Sequence, residues 1–261
     1  MNKLINIFIT CFILYAVIAH LQQREIIPKF NIPDFFETSI IPEQSSEEEI
    51  IKNVESKPPE VKLNKSHGHW EIKDENDKGI GNGHYIFSSN SRFSGDSYIG
   101  QIKNSKFHGI GTYHHSNGDK YEGQYKDGNR TGEGTIYFNS GYCQGDRYVG
   151  NFLNGFFHGK GNYYYKNGTI YSGDHLNGRR TGIGVYKYGG NFAWSGDQYS
   201  GQLLNGCFHG KGVYLATNGN KFKGTYVNGV KNGKGLLILE NGQKFQEYWD
   251  KGVRTRTFEL K

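Results

Sequence analysis

The stretch YVGNFLNGFFHGKGNY, residues 148–163, decides how this chain folds. Side chains alternate faces along a strand, so Tyr148, Gly150 and Phe152 fall on one face. Gly159, Gly161 and Tyr163 share a face on the returning strand. Between the two runs, Asn154-Gly155 supplies the positive-φ residues that a tight turn requires. The segment therefore reads as a β-hairpin. Its pattern, Tyr-x-Gly-x-Φ-x-x-Gly-x-x-x-Gly-x-Gly with Φ a large apolar residue, starts at Tyr98, Tyr121, Tyr148, Tyr171, Tyr199 and Phe222, with a truncated copy at Phe245. The steps between starts are 23, 27, 23, 28, 23 and 23 residues. A short repeating period specifies a quasi-linear array of one supersecondary unit, not a globule around a single deep cleft.

A second set of turns, at Asn117-Gly118, Asn167-Gly168, Asn218-Gly219 and Asn241-Gly242, joins successive hairpins. The hairpins can then pair edge to edge into one long antiparallel sheet. Glycine inside a strand costs roughly 0.5–1 kcal/mol, so each hairpin needs a compensating contact. A strand glycine leaves a slot for a neighbouring Tyr or Phe, whose burial contributes about 1.5–3 kcal/mol. The balance favours the sheet only when neighbouring repeats are present.

Composition divides the chain in two. All 38 glycines lie at or after Gly68, and all five prolines lie before it. Residues 22–78 carry 8 Lys/Arg against 13 Asp/Glu, whereas residues 79–261 carry 22 against 12. The basic array favours acidic partners such as anionic lipid, an acidic protein surface or nucleic acid, or else uses lysine to keep its sheet soluble and its edges guarded. Residues 4–21 form an apolar run of 18 after Lys3. It is long enough to span a bilayer as a helix, and Val17-Ile18-Ala19 also suits signal-peptide cleavage. Both readings stand. Residues 22–66, with the prolines and Glu47-Glu48-Glu49, read as an acidic linker that cannot order itself alone.

The repeats resemble the MORN (membrane occupation and recognition nexus) repeat over about 98–251. The resemblance rests on Tyr98/Gly100, Tyr121/Gly123, Tyr148/Gly150, Tyr171/Gly173, Tyr199/Gly201 and Phe222/Gly224, and on the Gly-x-Gly pairs from Gly109 to Gly235. A degenerate unit opens at Trp70, where Ile72 replaces the glycine and Asp74 the apolar residue, so irregular pairing of its first strand is expected. The resemblance implies an elongated, twisted single sheet with an aromatic-lined groove, acting as a scaffold. The period here is doubled. Hairpins with Phe-His (Phe107-His108, Phe157-His158, Phe208-His209) alternate with hairpins carrying Arg-Thr (Arg130-Thr131, Arg180-Thr181). Extra residues before each Phe-His member, ending in Asp96, Asp146 and Asp197, predict an edge loop at every second hairpin, about 19 Å apart at four strand spacings.

Catalytic chemistry finds little support. Histidines recurring at such distances cannot share an ion and read as turn-capping or packing residues. Asp96, Asp146 and Asp197 read first as turn residues. The Gly-x-Gly pairs lack the strand–loop–helix context and Gly-Lys-Ser/Thr of a phosphate loop. Cys143 and Cys207 lie too many strands apart to pair, and neither has a CxxC neighbour.

The expected architecture is an all-β repeat array after an N-terminal hydrophobic helix: residues 1–21 as anchor or signal, 22–66 as linker, 67–251 as array and 252–261 as tail. The expected protein is a non-catalytic scaffold without cofactor or metal, docking other protein subunits at an organellar membrane such as the mitochondrial inner membrane, or an endomembrane. Nucleic acid and small-molecule substrates are not expected. Its candidate aromatic interaction face is Tyr98, Tyr121, Tyr148, Tyr171, Tyr199 and Phe222. Candidate edge and turn contacts are Phe107, His108, Phe157, His158, Phe208, His209, Arg130, Arg179 and Arg180. The alternatives are a secreted or lumenal binding protein and a lipid-binding membrane-apposition module.

Overall fold

A computed structural model describes residues 68–76 and 78–261. The expected N-terminal helix and acidic linker lie outside them. Eight hairpins follow one another: β1 (Gly68–Glu75) with β2 (Ile80–Phe87), β3 (Ser97–Lys103) with β4 (Lys106–His114), β5 (Lys120–Lys126) with β6 (Asn129–Tyr137), and β7 (Arg147–Leu153) with β8 (Phe156–Tyr164). Then come β9 (Ile170–Leu176) with β10 (Arg179–Lys187), β11 (Gln198–Leu204) with β12 (Cys207–Leu215), β13 (Lys221–Val227) with β14 (Val230–Ile238), and β15 (Lys244–Asp250) with β16 (Val253–Leu260). All pair antiparallel, in chain order, in one 16-stranded sheet. Among the described residues, every regular element is a strand.

Tight turns close the hairpins where Asn-Gly and Asp-Gly predict them. Asp127, Asn154, Asn177, Asn205 and Asn228 hold φ of 47–50°, and the glycine after each is also positive. The β3–β4 turn keeps this geometry at Asn104 and Ser105 (φ 50° and 58°) without any glycine. Residues 252–261, expected as a tail, instead contribute β16, which pairs with β15 and completes the last hairpin. In the degenerate first unit, β1 pairs with β2 along its length, with a register shift between Trp70 and Ile72.

The glycine slots are filled by the ring that starts each unit. A Cβ on Gly161 would sit 2.3 Å from Tyr148 Oη, and one on Gly150 2.7 Å from the same atom. Each ring therefore lies flat across its own strand and the next, over two backbone positions that carry no side chain. Its hydroxyl donates to the carbonyl three residues on: Tyr98 to Gln101 (2.6 Å), Tyr148 to Asn151 (3.0 Å), Tyr171 to Asp174 (2.9 Å) and Tyr199 to Gln202 (2.8 Å).

The two glycines of each Gly-x-Gly do different jobs, which corrects the expectation that both share the ring's face. The second is the slot. The first, such as Gly159 (φ 61°) or Gly210 (φ 61°), adopts the left-handed conformation inside a bulge, between residues where the register shifts. A polar side chain on the neighbouring strand reaches this bulge. Gln101 Oε1 accepts from Ile110 N (2.8 Å), Asp174 Oδ2 from Ile183 N (2.9 Å) and Gln202 Oε1 from Lys211 N (2.8 Å).

The core is one face of the sheet. The Φ residue stands edge-on between its own unit's ring and the preceding one. Tyr125 meets Tyr98 and Tyr121 (both 5.2 Å, 86°), and Phe152 meets Tyr121 (5.0 Å) and Tyr148 (5.2 Å). Such edge-to-face pairs contribute about 0.5–1.5 kcal/mol each beyond area burial. Half of them join different hairpins, so a lone repeat would lose them.

Candidate interaction surface

The six ring positions expected to form a docking face are 0–4% exposed. Tyr98, Tyr121, Tyr148, Tyr171, Tyr199 and Phe222 are therefore the core itself, and a partner cannot reach them. Burial pushes the hydroxyls of the five tyrosines well above the ordinary phenol range.

What covers these rings explains the doubled period. Phe107, Phe157 and Phe208 stack flat on the ring of their own unit, at 3.7, 3.8 and 3.6 Å. At the same place in the alternate hairpins stands a cation. Arg130 lies 5.4 Å from the Tyr121 ring, Arg180 5.1 Å from Tyr171 and Lys231 Nζ 3.9 Å from Phe222. A ring face carries negative quadrupole charge, so a flat ring or a cation can cap it. Lys231 was not legible as part of this series. It also lies 4.4 Å from Trp249, and burial lowers its pKa to about 8, against the opposing pull of Glu247.

The histidines and remaining arginine sit apart from this row. His108 Nδ1 accepts weakly from Asp127 N (3.5 Å) and lies 3.7 Å from Asp127 Oδ1, a turn contact of the expected kind. His158 and His209 bury an Nδ1 with no protein partner. Arg179 donates to Asn205 Oδ1 (3.3 Å) on the next turn. Arg180 is enclosed by Tyr163, Tyr165, Tyr171 and Tyr186, so reversing its charge would disturb folding rather than report on lipid. One Φ position breaks the apolar rule. His175, 3% exposed with neither ring nitrogen partnered, stands edge-on between Tyr148 and Tyr171, and burial lowers its pKa to about 4.

Both edges are tied from turn to turn. On one edge, the residue two before each unit start accepts from a backbone N–H in the next turn along. Asp96 takes Ser116 N (2.8 Å), Asp119 takes Asn139 N (2.7 Å) and Asp146 takes Lys166 N (2.8 Å). Thr169, Asp197 and Asn220 continue the series with Gly189, Thr217 and Glu240. The loop aspartates also accept a tyrosine hydroxyl, from Tyr113 (2.7 Å), Tyr163 (2.8 Å) and Tyr214 (2.6 Å). On the opposite edge, the glycine of each tight turn donates to the residue that caps the previous unit's ring, as Gly178 N does to Phe157 O (2.8 Å).

The long loops fall where expected, between β2 and β3, β6 and β7, and β10 and β11. They bring exposed aromatic side chains to one edge: Tyr142 is 58% exposed, and Phe192, 49% exposed, stacks on Trp194 at 5.1 Å. Among the described residues, no group of three or more His, Cys, Asp or Glu could hold a metal ion, and both cysteines are free.

The family model described as MORN repeat matches residues 98–120, 121–141, 148–170, 171–191, 199–221 and 222–244, just over half of the chain. No curated protein matches. Among solved structures, the chain is similar to the SAS-4 (dCPAP) TCP domain in complex with a proline-rich motif of Ana2 (dSTIL) of Drosophila melanogaster. The identity is 15%, the match covers 57% of this chain and 83% of that one, and the TM-score is 0.31, too slight to bear on function.

Proposed function

Because the chain belongs to the MORN-repeat family, we propose that it is a non-catalytic scaffold: a protein-interaction subunit held at a membrane by residues 1–21 and serving a larger membrane or organellar complex. One observation carries the interaction reading. Edge loops recur at every second hairpin, each built on a buried aspartate, and two of them hold exposed aromatics at Tyr142 and Phe192. Exposed aromatics are among the side chains that dominate protein interfaces. The membrane reading rests on the apolar run at 4–21; among the described residues, no helix is long and apolar enough to cross a membrane.

The test is to purify the full-length chain from its native membrane fraction and to sequence its mature N-terminus by mass spectrometry. Expected are an intact N-terminal segment and a protein that co-purifies at fixed stoichiometry. That protein should be lost in a Tyr142→Asp, Phe192→Asp variant that keeps its melting temperature. Undiminished capture by that variant would remove the edge loops from the interface. A mature N-terminus near His20 would favour the secreted or lumenal alternative, which Val17-Ile18-Ala19 supports.

A further inference from the structure

The Arg130 hairpin lacks what fills the same place one pair of repeats later. Around Arg180, the chain supplies Tyr165 and Tyr186, with Tyr188 stacked on Tyr186 (5.8 Å), and Arg180 Nη1 donates to Tyr186 Oη (3.2 Å). At the equivalent offsets around Arg130 stand His115, Ile136 and Phe138, all smaller, and all three lack the phenol hydroxyl. The hydroxyl that Arg180 finds inside its own chain has no counterpart at Ile136. A cavity of about 280 Å³ opens here, lined by Arg130, Tyr121, His115, Ile136, Phe138 and Phe157 among others.

The polar groups beside it are already committed, apart from the arginine. Asp119 Oδ1 accepts from Asn139 N and from Ser140 N and Oγ, and its Oδ2 accepts from Asn117 Nδ2 (3.0 Å). Lys120 pairs with Glu122 (2.8 Å), and His115 Nδ1 lies 3.5 Å from Asp96 Oδ2. Burial lowers the His115 pKa, against the opposing pull of Asp96. Among the described residues, the Arg130 guanidinium has its Tyr121 ring contact but no hydrogen-bond acceptor. Five donors on a rigid planar fork, next to an aromatic-walled space, match a flat ring with an oxygen acceptor at its tip.

We propose that this cavity receives a tyrosine side chain of the partner protein, seated as Tyr186 is seated against Arg180 and accepting a hydrogen bond from Arg130. The inference rests on reading the array as a protein-docking scaffold and adds which side chain of the partner this position takes. An aromatic ring fills the apolar walls, and its phenol oxygen supplies the acceptor that Arg130 lacks among the described residues, where the buried Tyr125 Oη of the same hairpin stays unpartnered. A phenylalanine would leave Arg130 unsatisfied, which makes the hydroxyl a basis for selectivity.

The test uses the full-length chain and p-cresol, the side-chain analogue of tyrosine, with toluene as the ring without the hydroxyl. Titration followed by NMR should show saturable shifts at His115 and Ile136 for p-cresol, with toluene binding at least five-fold weaker. Ile136→Tyr, which installs the tyrosine found at position 186, should fill the cavity, weaken p-cresol at least ten-fold and leave the chain folded. Arg130→Met should bind the two probes equally. Absence of saturable binding, equal binding of both probes by the unaltered chain, or undiminished p-cresol binding by Ile136→Tyr would each overturn the proposal. These outcomes are independent of partner capture, so a failed titration with an intact co-purifying partner refutes the tyrosine pocket alone. Loss of all partners with a positive titration refutes the scaffold reading alone.

Discussion

The β5–β6 and β9–β10 hairpins share a frame and differ in what fills it. Both start with a buried tyrosine (Tyr121, Tyr171), both lay it over two glycines, and both cap it with an arginine. Yet Tyr125 stands where His175 does, Ile136 where Tyr186 does, and Asp119 where Thr169 does. The backbone solution is thus fixed by the turns, the ring and the glycine slots. The remaining positions on the same face are free to trade packing for accessibility. One hairpin is closed around its arginine; the other leaves its arginine open.

The largest expected contrast lies in the arginines. Arg180→Ala removes a guanidinium from four rings and from Tyr186 Oη, and should cost about 4 kcal/mol in denaturant unfolding. Arg130→Ala removes one ring contact and should cost about 1 kcal/mol. Equal costs would mean that the enclosure of Arg180 contributes nothing.

Acid comes next. His175 is buried neutral, with its pKa lowered to about 4 by burial first and by the nearby Arg180 charge second. Between about pH 6.5 and 4 the unfolded chain binds the extra proton and the folded chain does not, so stability falls as pH falls through this window. The loss should approach 3 kcal/mol by pH 4, measured by unfolding at a series of pH values. His175→Tyr, which copies position 125, should flatten that stretch of the profile. An unchanged slope would place the sensitivity elsewhere.

A smaller difference is expected between the edge ties. Asp119 accepts three hydrogen bonds on one oxygen, whereas Thr169 accepts one from Gly189 N (3.1 Å). Asp119→Ala should therefore cost about 1.5–2 kcal/mol and Thr169→Ala about 0.5–1. The smallest effect has the opposite sign. Tyr125 Oη is buried without a partner, so Tyr125→Phe should be neutral or stabilising by up to about 1 kcal/mol. A clear destabilisation would show that the hydroxyl has a role in this hairpin that His175 does without.

The parts legible in the sequence are those that glycine and turn chemistry dictate: the hairpins, their order, the doubled period and the position of the edge loops. The parts that escaped depend on φ or on a neighbour in space. Gly159 and Gly161 look alike on paper, yet one adopts φ of 61° in a bulge and the other is a slot for Tyr148. Rings that promised a docking face are buried because each is capped by a residue nine positions on, a relation that strand alternation does not reveal. Lys231 is hidden in the sequence because Lys231-Asn232 does not repeat the Arg-Thr pair, although the place in the hairpin is the same. Residues 253–260 lack the Tyr-x-Gly signature, and only their pairing with β15 identifies them as a strand.

The ties along both margins give the ribbon a mechanical character. Each turn is fastened to its neighbours on the same margin, along both margins, so flexing any joint strains both rims together. Such a plank behaves as a ruler whose graduations are pairs of hairpins. Excising one pair, 50 or 51 residues, would rejoin matching pins and shorten it by about 19 Å, changing the reach between whatever is bound at its two ends while keeping the rest rigid.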